Sequence, residues 1–202
     1  MFTFVALVVL GILLGIVLMQ LFKKQTPAPA PVEDLANLKV ADARAGDAIS
    51  ISGAGDNYTD LDFTSDRLTR FDSGTRRWFE LSGPYQERRV TLRVGGDEDV
   101  EVSLHSDPRK LTVEDLGLSE EDLAEMDERQ NTADSFEFDG KVWLYRLSRE
   151  VHTDAGGFYY WEFQEQAGKG LIGIRKAEGE PFAVTLYTGI AASDVTIYRG
   201  RT

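Results

Sequence analysis

The sequence predicts a mainly β protein: an antiparallel β-sandwich or barrel built from two similar meanders, with one internal helix, carried behind an N-terminal transmembrane helix. Three observations predict it. Beyond residue 46 most of the chain alternates apolar and polar residues with period two, as half-buried strands do. Residues 112–130 carry helical spacing instead, and the stretch from Phe2 to Phe22 is almost wholly apolar.

The apolar stretch comes first. It is interrupted only by Thr3, Gly11, Gly15 and Gln20, and roughly 20 such residues at about 1.5 Å each cross a hydrocarbon core of about 30 Å. A cleavable signal sequence would need a basic n-region, a shorter apolar core and a small-residue cleavage site close behind. Here no Lys or Arg precedes the core, and Lys23 and Lys24 follow it. Residues 1–24 therefore read as an uncleaved anchor. Positive charges flanking a span tend to stay cytoplasmic, which places the soluble domain in the cytoplasm. Gly11 and Gly15 form a G-x-x-x-G, the spacing that lets a second helix approach closely.

Residues 25–45 form a linker, and its Pro/Ala alternation from Gln25 to Pro31 favours an extended, semi-rigid spacer. The soluble domain is expected over 46–200. Its strands are read from Ala48-Ile49-Ser50-Ile51, Arg89 to Val94, Val100 to Leu104 and Ala183 to Tyr187, with turns at Gly95-Gly96-Asp97 and Gly156-Gly157. Within the helical stretch Ser119 and Asp122 have capping-box spacing, which marks a second start there.

Charge narrows the partners. The chain carries a net charge of -12, and since residues 1–24 hold two lysines and no acid, residues 25–202 carry 20 basic against 34 acidic side chains. A surface this negative repels phosphate backbones, so nucleic acid is not an expected partner. The absence of cysteine excludes a disulfide scaffold, a thiolate zinc site and a cysteine nucleophile.

An offset of 82 residues aligns the domain with itself without a gap. Arg67 falls on Arg149, Glu80 on Glu162, Arg93 on Arg175 and Leu104 on Leu186, and Trp78 with Tyr160 and Phe63 with Tyr145 fill similar places. Two copies of one meander are expected, over 60–106 and 142–188, with the helix between them. Packed together they would bury both apolar faces.

Tyr160-Trp161-Glu162-Phe163 after a Gly-Gly hairpin, with the opening Gly46-Asp47-Ala48-Ile49, resembles the bacterial domain-of-unknown-function family 4178 over roughly residues 38–198. The resemblance implies a β-rich fold and brings no established activity or catalytic residues.

No catalytic constellation emerges. Gly168-Lys169-Gly170-Leu171-Ile172-Gly173 is a literal G-x-G-x-x-G, but it runs into an alternating strand rather than a helix, and so reads as a hairpin. His105 and His152 have no nucleophile elbow beside them. The acids of 112–130 lack the calcium-loop pattern, and no metal or cofactor is expected. Glu80 and Glu162 are the strongest chemical candidates, as repeat-related carboxylates suited to an acid/base pair. The competing and preferred reading pairs Glu80 with Arg67 and Glu162 with Arg149 as cross-strand structural ion pairs. The aromatic clusters Trp78-Phe79 and Tyr160-Trp161 are candidates for an exposed interface, since half of an alternating strand faces outward, and the evenly matched alternative makes the second an inner strand covered on both sides.

These readings converge on a non-catalytic, membrane-anchored accessory or assembly subunit of a larger membrane complex, with other membrane-protein subunits as partners and self-association open. The alternative is a membrane-tethered enzyme or small-ligand binder using the Glu80/Glu162 region.

Overall fold

The computed structural model describes residues 38–96 and 99–199. The expected anchor, the Gly11/Gly15 pair and most of the linker lie outside the described residues. Among the described residues no helix is long and apolar enough to cross a membrane.

Within the described residues twelve strands and one α-helix follow in order: β1 (Ala48–Ile51), β2 (Leu61–Thr64), β3 (Arg67–Asp72), β4 (Arg77–Tyr85), β5 (Arg88–Gly95), β6 (Glu101–His105), α1 (Glu120–Arg129), β7 (Ser135–Phe138), β8 (Lys141–Thr153), β9 (Gly156–Glu165), β10 (Leu171–Lys176), β11 (Ala183–Ile190) and β12 (Val195–Tyr198). Eight of them run in the order β3-β4-β5-β6-β11-β10-β9-β8, and an antiparallel bridge between Asp72 and His152 joins β3 back to β8. The result is a closed eight-stranded antiparallel barrel, which leaves no long free edge. Strand β7 pairs with the start of β8, and β12-β1-β2 make a separate three-stranded sheet.

The 82-residue offset carries β3, β4, β5 and β6 onto β8, β9, β10 and β11 in matching order. Each meander meets the other through equivalent strands, β6 with β11 and β3 with β8. The correspondence begins at Arg67/Arg149. The expected equivalence of Phe63 with Tyr145 fails, because residues 61–64 leave the barrel as β2 and pair with β1, whereas Tyr145 lies within β8. The chain bends at Ser65, whose N–H donates to the Asp47 carbonyl at 3.0 Å and whose hydroxyl donates to the Arg67 carbonyl at 3.1 Å.

Alternation along each barrel strand separates an inner from an outer face. The outer apolar residues of β4, β5 and β6, among them Leu81, Val90, Leu92 and Val102, pack under the small sheet with Ile49, Ile51, Leu61 and Ile197. Val40 and Ala43 join this cluster, so the packed domain begins earlier than residue 46. On the other side Trp143, Tyr145, Trp161, Phe163, Ile172 and Ile174 are covered by α1 through Leu123 and Met126. A β-bulge between Tyr145 and Leu147 inserts Arg146, so Trp143 and Tyr145 face outward while Leu147 and Val151 face inward.

The 112–130 stretch is split at the second start expected at Ser119. A 3-10 turn over Glu114–Leu116 stops at Gly117, which takes φ +72° in the left-handed region, and α1 starts again behind Ser119. There the capping box forms: the Asp122 N–H donates to Ser119 Oγ at 3.1 Å, and the Ser119 N–H donates to the Asp122 carboxylate at 2.8 Å. The G-x-G-x-x-G is the β9–β10 connection running into β10, as the hairpin reading expects.

Candidate functional site

Glu80 and Glu162 both point into the barrel, where burial leaves Glu162 1% and Glu80 7% exposed. Each is bound by an arginine and a tyrosine, and their ion pairs run across the barrel rather than between neighbouring strands. Arg93 on β5 donates from Nη2 to Glu162 Oε2 at 2.5 Å, and Arg175 on β10 donates from Nη2 to Glu80 Oε1 at 2.5 Å. Each arginine belongs to one meander and each carboxylate to the other, so the two bonds are reciprocal under the 82-residue offset.

The expected partners are corrected accordingly. Arg67 lies opposite Ser82 at an exposed strand end, and Thr69 is the residue opposite Glu80. Arg149 lies opposite Tyr160, and its guanidinium donates to the Thr75 hydroxyl. The physical reason is closure: rolling the sheet brings β5 against β9 and β4 against β10 through the interior, a proximity that strand order alone does not show.

Tyrosines complete each pair. The Tyr160 hydroxyl donates to Glu162 Oε2 at 3.3 Å and accepts from Arg93 Nη1 at 3.1 Å. The Tyr187 hydroxyl donates to Glu80 Oε1 at 2.8 Å and accepts from Arg175 Nη2 at 3.3 Å. Arg93 also lies 4.8 Å from the Trp78 ring centroid, close enough for a cation–π contact. The remaining interior is aromatic and aliphatic: Phe71 stacks on Trp78 at 5.1 Å, and Leu147, Val151 and Tyr160 close the cluster. Gly173 is required beside Tyr160, because a Cβ there would stand 2.6 Å from the phenol oxygen.

Burial alone would push the Glu162 carboxyl up, but Arg93 and Arg146 outweigh it and hold the carboxyl below its ordinary value. Burial pushes the Tyr160 phenol upward. A carboxylate held in this way is a poor proton carrier near neutrality. Among the described residues no group of three or more His, Cys, Asp or Glu is placed to hold a metal ion.

The aromatic residues expected at an interface are mostly buried. Trp78 and Tyr160 fill the barrel, and Trp161 lies beneath α1, its Nε1 donating to the Leu123 carbonyl at 3.1 Å. Strands β4 and β9 are covered on both faces, so neither presents the outward aromatic row expected of a half-exposed strand. Phe79 is half-buried, and it borders with Trp78 a cavity of about 650 Å³ beside the β3–β8 closure.

Two arginines that sequence reasoning missed belong to the same network. Arg76 and Arg146 each reach Glu162 Oε1 at 3.2 Å and also bind Glu101. Neither falls on another arginine under the offset: Arg76 corresponds to Phe158 and Arg146 to Thr64, so the repeat offers no signal for them. Together these features define a small closed β-barrel filled by reciprocal ion pairs. No family model matches this chain, nor does any curated protein or solved structure.

Proposed function

We propose that this protein is a membrane-anchored, non-catalytic β-domain that acts as an accessory or assembly subunit of a larger membrane protein complex. In this reading residues 1–24 anchor the chain, the Pro/Ala linker holds the domain close to the cytoplasmic face, and two copies of one meander form the barrel. The observation that carries the non-catalytic part is the engagement of both interior carboxylates: Glu80 is bound by Arg175 and Glu162 by Arg93, Arg76 and Arg146. Chemistry by either group would have to begin by breaking a buried ion pair, which is costly.

The assembly part rests on the anchor and its G-x-x-x-G. Tethering raises the effective concentration of the domain at partners in the same membrane, so modest contacts in span and domain add to a stable association. Gentle solubilisation followed by sizing tests this. The expected result is migration within a larger assembly that loses the protein when Gly11 and Gly15 are both replaced by Leu. Migration as a lone monomer, unchanged by that replacement, would overturn the proposal.

A further inference from the structure

Arg76 and Arg146 share both of their carboxylate partners. Arg76, in the β3–β4 turn, donates from Nη1 to Glu162 and from Nη2 to Glu101, each at 3.2 Å. Arg146, the extra residue of the β8 bulge, places Nη1 3.2 Å from the same Glu162 oxygen and donates from Nη2 to both Glu101 oxygens, at 2.9 and 3.2 Å. One side of each guanidinium is thereby fixed from within by a carboxylate that is 1% exposed, and the other side holds one that is 47% exposed.

Without Glu101 the cluster would retain three guanidiniums, Arg76, Arg93 and Arg146, against the single carboxylate of Glu162. The two Nη2 groups converge on one carboxylate, that of Arg146 reaching both of its oxygens, so together they hold it from two sides. Their positions do not depend on Glu101, because Glu162 holds both from behind.

A cavity of about 250 Å³ borders Glu101 and is lined also by Ser103, Gln164, Lys169 and Leu171. Ser103, 4% exposed, lines it from β6 at the position opposite Arg93. Gln164 is held by Arg146 and by the carbonyls of Gly168 and Gly170. Lys169 is the one cationic residue that lines this cavity among the described residues, and Arg76 and Arg146 adjoin it through Glu101, which both of them bind. Drug-sized pockets run to about 300–1,000 Å³, so this volume suits a short molecule.

The geometry points to a binding site for a short organic dicarboxylate at this barrel mouth, one carboxylate taken by Arg76 and Arg146 in place of Glu101 and the other by Lys169 and Ser103. Glu101 is then a tethered competitor that the ligand displaces into solvent. This inference stands independently of the assembly role.

The test is calorimetric titration of succinate into the full chain in mild detergent. A tethered competitor acts at an effective concentration on the order of millimolar, so the wild-type protein should bind succinate weakly and Glu101→Ala at least tenfold more tightly. Glu101→Gln, which keeps the side-chain volume, should shift affinity in the same direction and serves if the alanine variant is unstable. Succinamide, the neutral isostere, should not bind either variant. Lys169→Met in the Glu101→Ala background should erase the preference for succinate over propionate, a readout that a purely structural lysine would not move. Folded Glu101 variants that bind succinate no better than wild type, or that bind succinamide equally well, would overturn the assignment.

Discussion

Glu162→Gln isolates the electrostatic contribution of the interior, because it keeps the shape of the side chain and removes its charge. In the wild-type protein this carboxylate faces Arg93 at 2.5 Å and Arg76 and Arg146 at 3.2 Å, and the Arg93 side chain is only 7% exposed. The substitution leaves Arg93 buried beside a neutral amide. Removing one partner of a buried ion pair costs about 3–5 kcal/mol. At about 2–4 °C per kcal/mol for a domain of this size, the melting temperature should fall by about 6–20 °C.

The pH dependence has a definite sign. The folded carboxyl lies below its ordinary value of 4.5, so its stabilisation is complete above that value and is lost as pH falls through the lowered folded value. Thermal melts followed by near-ultraviolet circular dichroism at pH 7 and at successively lower pH should show wild type and variant converging in acid. A variant that melts within about 2 °C of wild type at pH 7, a difference below about 1 kcal/mol, would refute the claim that the pair is a structural element of the barrel.

The second ion pair is simpler and allows a cycle. Arg175→Met alone should destabilise by about 3–5 kcal/mol in denaturant titrations, whereas Glu80→Leu with Arg175→Met should recover more than half of that loss, since an apolar pair leaves no unpaired charge. Gly173→Ala should cost about 1–3 kcal/mol by overpacking, because the new methyl meets a Tyr160 hydroxyl fixed by hydrogen bonds to Arg93 and Glu162. Ser119→Ala removes the cap of α1 and should cost about 1 kcal/mol, read as a lower melting temperature. Burial and its hydrogen bond to Asp127 push the Tyr159 phenol up to about 12, so NMR titration of ring-labelled tyrosine should show Tyr159 still protonated at pH 11, with Asp127→Asn lowering its pKa.

The class of the domain and much of its internal order are legible in the chain alone. Period-two alternation is imposed by the pleat, so strands near 48–51, 89–94, 100–104 and 183–187 were legible, as was the capping box at Ser119. The offset pairing Glu80 with Glu162 and Arg93 with Arg175 was legible too, because equivalent positions in two meanders face the same environment. Which arginine pairs with which carboxylate follows instead from the closing of the barrel. Alternation says that Arg93 and Glu162 each leave the sheet on a particular face, but not that the sheet rolls until those faces meet. Barrel closure at Asp72 and His152 makes that face an interior, and it turned an expected set of neighbouring-strand ion pairs into reciprocal bonds across the barrel. The same closure, with α1 and the small sheet covering the outside, buried aromatic rows that a half-exposed strand would have shown to solvent. A bulge that redirects Arg146 depends on one extra residue in the pairing of β8 with β9, and such a register shift is a property of two strands together rather than of either one.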